Sequence, residues 1–170
     1  MNRFWILLLA FAAIAASSCK KDAENTTTTT LNIRLTDGPG AYDQVNIDLL
    51  EIRVKTSDDT SKWLSIPTNA GVYNLLEFQN GIDTLIATGP VPLVTLKEVR
   101  FVLGPNSTVM QDSMLYPLQT PSAESSGLKV KIDKSLSLNL NTFVLDFDAE
   151  KSVHGTGSGK FILKPVIKLK

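Results

Sequence analysis

The stretch VNIDLLEIRV, residues 45–54, decides the fold. Val45, Ile47 and Leu49 alternate with Asn46 and Asp48, the period of two that sends neighbouring side chains to opposite faces of a strand. At Leu49-Leu50 the phase slips, and Leu50, Ile52 and Val54 continue on the other parity. A slip of one residue would turn a whole apolar face towards water. A β-bulge near Leu49, or a strand that changes sheets, resolves the conflict.

The same period runs outward in both directions. Upstream, Leu31, Ile33 and Leu35 alternate with Asn32, Arg34 and Thr36, and DGPG at 37–40 supplies a turn. Downstream, 63–66 and 72–78 read as short strands, Asn80-Gly81 as a turn, and 82–88 as an extended or a short helical piece. Residues 96–103 alternate until Gly104-Pro105-Asn106 stops them. Residues 107–110 and 114–118 form a hairpin pattern across 111–113. Leu128, Val130 and Ile132 are followed by Leu136, Leu138 and Leu140, then by Phe143, Leu145 and Phe147, each set on one parity. The last strand spans 161–170, and Pro165 inside it, lacking an N–H, predicts an edge strand. No amphipathic helix of ordinary length is present. Many short strands separated by turns predict an all-β domain, a single antiparallel β-sandwich over residues 31–170.

Composition bounds the function. The chain has 17 basic and 17 acidic residues, and removing Arg3 with residues 1–18 leaves 16 against 17. A body so nearly neutral has no long-range field to draw it to nucleic acid or to anionic lipid. Residues 31–170 suffice for one core, and with one cysteine in the chain no internal disulfide can form. That cysteine is Cys19. It follows Arg3, an apolar run of 13 residues from Phe4 to Ala16, and Ser17-Ser18. Such a run is too short for a bilayer span, which needs about 20 residues, and has the shape of an export signal.

Ala-Ser-Ser-Cys at 16–19 resembles the lipobox of bacterial lipoproteins. That resemblance implies a signal peptide at 1–18, diacylglyceryl transfer to Cys19 and anchoring through acyl chains, which hold stably when there are two or more. Residues 20–24 lack an aspartate directly after the cysteine, which by the same resemblance favours the outer membrane. The lysines followed by acids resemble the surface-export signal of Bacteroidota lipoproteins, so cell-surface display is expected over a periplasm-facing position. Residues 19–30, ending in NTTTTT, have nothing apolar to bury and are expected to be a tether.

Several residue sets invite chemistry. The only histidine, His154, lies near Ser152, Asp146 and Asp148 and would be the base of a hydrolase. The loop GTGSG at 155–159 reads more simply as a hairpin connection, and no serine sits at a strand-to-helix elbow. Asp146 and Asp148 share a strand face at about 7 Å. If Asp37 meets them, three acids and loop carbonyls would suit Ca²⁺, which takes six to eight oxygens; the plainer expectation is that Asp37 and Asp148 cap backbone amides. Tyr42, Trp63, Tyr73 and Tyr116 are candidates for stacking against sugar rings, or for packing.

The blocks LTDGPGAYDQVNIDLLEIRV (35–54), LLEFQNGIDTLIA (75–87), YPLQTPSAESSGLKV (116–130), LDFDAEKSV (145–153) and GSGKFILKPVIK (157–168) resemble, in order, the bacterial domain-of-unknown-function family 4382. The resemblance implies an envelope lipoprotein or a secreted protein, with a sandwich similar to transthyretin-like or carboxypeptidase-regulatory-like modules, and it brings no established activity. The expectation for function is therefore a non-enzymatic, lipid-anchored module that binds or scaffolds an envelope protein or a glycan. Two alternatives stand beside it: an accessory subunit joined by pairing along the Pro165 edge, and a hydrolase using His154.

Overall fold

The structure is a computed structural model that describes residues 27–121 and 127–170. Its centre is strand β2, Gln44–Thr56, built from the stretch quoted above. Leu49 pairs with Leu103 while Glu51 pairs with Val102, so Leu50 is the extra residue of a β-bulge. Leu50 is half exposed, whereas Leu49, Ile52 and Val54 are all buried. The strand stays in one sheet; the bulge alone absorbs the change of parity.

On one side of β2 lie β6 (Thr95–Leu103) and β7 (Thr108–Gln111), end to end and both antiparallel to it. Its other side carries β3 (Leu64–Ile66) and β4 (Gly71–Asn74). β8 (Met114–Gln119) returns on β7 across Asp112 and Ser113, both left-handed at φ 52° and 61°. Two consecutive positive φ values give the turn twist that matches paired strands. β9 (Leu128–Ser135) pairs with β6, and β12 (Phe161–Leu163) joins β8 and pairs with β11 (Val153–Gly155). The second sheet has the order β13 (Ile167–Leu169), β10 (Asn141–Phe147), β1 (Thr28–Thr36), β5 (Thr84–Pro92).

The domain is all-β, as expected, but its sheets are mixed rather than purely antiparallel. β1 runs parallel to β10, and β12 parallel to β8. The buried faces of both sheets form one core, and Phe101 of β6 meets Phe147 of β10 edge to face at 6.4 Å. Each such side chain removed from water contributes about 1.5–3 kcal/mol.

Four local expectations change. The first strand begins at Thr28, inside the segment expected to be tether: Thr28, Thr29 and Thr30 pair with Pro92, Val91 and Pro90. Threonine suits a strand, and a waiting neighbour in β5 supplies the ladder. Residues 75–78 leave β4 as a turn of 3-10 helix. Leu138 and Leu140 lie outside any strand, 74% and 60% exposed. The final segment is two strands in two sheets, with Lys164-Pro165-Val166 crossing between β12 and β13. β13 alone is an edge strand, so Pro165 marks a change of sheet.

That crossing is held by α1, the single turn Ala149–Ser152. Ser152 is fully buried. Its Oγ donates to the Asp148 carbonyl at 2.5 Å and accepts from Val166 N–H at 2.8 Å, while its own carbonyl accepts from Lys164 N–H at 2.7 Å. Among the described residues no helix is long and apolar enough to cross a membrane.

Candidate functional site

The acids come first. Asp37 directly follows β1 and is buried, with Oδ1 accepting from Ala149 N–H at 2.9 Å and Oδ2 from Gln79 Nε2 at 3.5 Å. Burial raises its pKa above the ordinary aspartate value, against the pull of those hydrogen bonds. Asp148 is the N-cap of α1. It accepts from Lys151 N–H at 3.0 Å and from Lys151 Nζ at 2.5 Å. Burial acts to raise its pKa, but the hydrogen bonds and charge of Lys151 outweigh it, and the net shift is downward. Asp146 lies in register with Thr36 and Lys168, and its Oδ1 is buried without a hydrogen-bond partner. One oxygen of each of Asp37 and Asp148 is thus turned to a backbone amide of the 148–151 turn, and the other to a side chain, Gln79 or Lys151. Among the described residues no three His, Cys, Asp or Glu side chains gather as a metal would require. A shallow cleft lined by Gly38, Pro39, Asp148, Glu150 and Lys151 lies over this turn.

The aromatic candidates divide. Tyr42 and Tyr116 both meet Phe161, with ring centres 6.5 Å and 5.1 Å away. The Tyr42 hydroxyl donates to the Val153 carbonyl at 3.2 Å. Tyr73 packs on Phe78 at 6.2 Å and donates to the Asn69 carbonyl at 2.5 Å. Trp63 carries Arg100 over its ring, 3.8 Å from the centroid, with Lys55 at 4.8 Å. All four rings are only partly exposed. A sugar platform needs a free flat face, and these rings spend theirs on the protein and do not form one set.

His154 is exposed on β11, paired with Ile162. Ser152, the nearest serine before it, points into the core and is consumed by the crossing. The two share no hydrogen bond, so a histidine-serine pair is not assembled there.

One polar centre escapes sequence reasoning. Alternation places Asp48 outward, yet it is 5% exposed. Its Oδ2 accepts from Asn106 N–H at 3.1 Å and from Asn106 Nδ2 at 2.8 Å; its N–H donates to Ser107 Oγ at 3.1 Å; its carbonyl accepts from Gly104 N–H at 2.8 Å. Residues 104–107 wrap around this carboxylate and separate β6 from β7. A Cβ on Gly104 would stand 2.3 Å from Asp48 Oδ2, so glycine is required by the close approach. The signal was Gly104-Pro105-Asn106-Ser107 facing a lone acid next to a phase slip. Its work is architectural.

Cys19 and the rest of residues 1–26 lie outside the described residues, as do 122–126. No curated protein and no solved structure matches the chain. The family model of a domain of unknown function, DUF4382, matches residues 28–165. That span starts with the first residue of β1 and takes in every strand but β13, and the chain belongs to this family.

Proposed function

We propose that the protein is a lipid-anchored envelope lipoprotein, held at the outer membrane through Cys19, whose domain binds a protein partner and performs no catalysis. The observation that carries the anchor is a sole cysteine directly behind a 13-residue apolar run and two serines. The support for a binding role is the way the chemically capable side chains are used: Asp37, Asp148, Ser152, Tyr42 and Tyr73 all serve internal hydrogen bonds. The dispersal of the four aromatic candidates favours a protein partner over a glycan. Among the described residues no grouping of side chains favours the hydrolase or calcium readings.

The edge of β13 suits such a partner. Asp148 N–H bonds to the Val166 carbonyl and Lys170 N–H to the Val144 carbonyl. By antiparallel alternation, Ile167 and Leu169 turn their N–H and C=O groups away from β10. Among the described residues no strand pairs with that side, and a cleft lined by Gly127, Leu128, Lys129, Pro165 and Ile167 runs beside it. Strand addition there would make a surface subunit of the domain. The test is a photo-crosslinking residue at exposed Lys168, used in cells. A discrete adduct that disappears in Leu169→Pro, which lacks the outward N–H but leaves the bonds to β10, supports the reading. No adduct, or one unaffected by Leu169→Pro in a folded domain, refutes edge docking.

A further inference from the structure

We infer that the loop 136–140 is a membrane-contacting wedge whose Leu138 and Leu140 enter the lipid interface beneath the domain. This rests on the Cys19 anchor proposed above. Leu138 and Leu140 are 74% and 60% exposed, two apolar side chains presented to the outside by one short loop. The loop holds them there. Asn141 Oδ1 accepts from Ser137 N–H at 2.9 Å, and its Nδ2 donates to the carbonyls of Ser137 at 3.0 Å and Asn139 at 2.8 Å. Leu136 packs on the core, and Leu136 N–H donates to the Val94 carbonyl. The apolar pair is therefore presented by a fixed scaffold.

The chain's own path says what lies opposite. Thr29 Oγ1 donates to the Asn139 carbonyl at 2.8 Å and accepts from Asn141 Nδ2 at 3.0 Å. The Thr27 carbonyl accepts from Leu93 N–H at 2.8 Å. The chain thus enters the domain beside this loop. Seven residues separate Cys19 from Thr27, and the eight steps between the two span at most about 28 Å when fully extended. The end of the domain carrying the leucines is the end tied to the bilayer. The bilayer interface accepts apolar side chains that reach a few ångströms into it, so tether length, exit point and apolar pair agree on one occupant.

The test uses the full acylated chain in vesicles of phosphatidylethanolamine and phosphatidylglycerol. With Cys19 acylated, Leu138→Cys provides the sole free thiol for an environment-sensitive dye. Met114→Cys is the control, since Met114 is 59% exposed but sits on the β7–β8 hairpin at the opposite end of β2. The dye at 138 should shift to the blue on reconstitution and be quenched by lipids spin-labelled near the headgroup, while the dye at 114 does neither. Leu140→Cys reads the same loop if Leu138→Cys fails to fold. An anchored protein whose dye at 138 stays in water overturns the inference and leaves the anchor standing. A blue shift without vesicles that grows with protein concentration assigns the loop to a second copy and also overturns it. Dye reacting with Cys19 in the unsubstituted chain refutes the anchor, and the wedge with it.

Discussion

Replacing Asp48 with alanine tests how the break between β6 and β7 is held against the central strand. The carboxylate accepts two hydrogen bonds from Asn106, at 3.1 Å and 2.8 Å, in a site only 5% exposed. Hydrogen bonds to a charged group are worth about 1.5–3 kcal/mol each. Both sit at the low end here, because Asn106 is exposed and its donors regain water. Removing a buried carboxylate that has no cation beside it returns part of the cost. The net expected loss is about 2 kcal/mol, roughly a thirtyfold drop in the folded-to-unfolded ratio. Asp48→Asn keeps an acceptor without the charge and should lose less than about 1 kcal/mol. Gly104→Ala supplies the partner change, since its Cβ would lie 2.3 Å from Oδ2. It should be costly alone and much cheaper when Asp48 is already alanine, because the displaced carboxylate is gone. Trp63, the one tryptophan among the described residues, stacks with Arg100 of β6 and reports urea unfolding. If the two substitutions add without coupling, Asp48 does not fill the space at Gly104 and the account of the β6–β7 break is wrong.

Two further predictions concern the 148–152 turn. Ser152→Ala removes the acceptor of Val166 N–H, while the Asp148 carbonyl keeps its bond from Ser152 N–H. One orphaned, half-buried N–H should cost about 1–2 kcal/mol, read as a lower urea midpoint with unchanged slope; no change would mean that the crossing at Pro165 does not depend on this hydroxyl. Asp37 has a folded pKa raised by burial, so the folded state holds a proton that the unfolded chain has already released just above its value of 3.8. Its contribution to stability is therefore greatest below 3.8 and declines as pH rises through the folded pKa. The stability of wild type relative to Asp37→Asn should fall as pH is raised through that window in a series of urea melts, and a rise would contradict the burial argument.

Much of the fold was legible because alternation is a local signal. VNIDLLEIRV carried both its strand and its bulge, and the β7–β8 hairpin showed in two short runs around Asp112-Ser113. What was not legible depends on distant partners. Nothing near Thr28 in sequence says that Pro92 will pair with it. The leucines at 138 and 140 keep perfect alternation, yet Asn141 folds that segment into a loop through its own amide. The sheet change at Pro165 needed a buried serine thirteen residues earlier. The candidate site was less legible still. Alternation put Asp48 outside, where only a turn from residues 104–107 could have shown it was enclosed. The aromatic set was read as one group because sequence gives no distances, and the fold sends Trp63 to Arg100 and two tyrosines to Phe161.

The most direct test of the proposed function is the intact mass of the protein extracted from its membrane. The account predicts a chain that begins at Cys19, carries diacylglyceryl mass on that residue, and reverts to an unmodified form in Cys19→Ser. A chain recovered from the soluble fraction with a free Cys19 thiol, or one cleaved elsewhere, would contradict it.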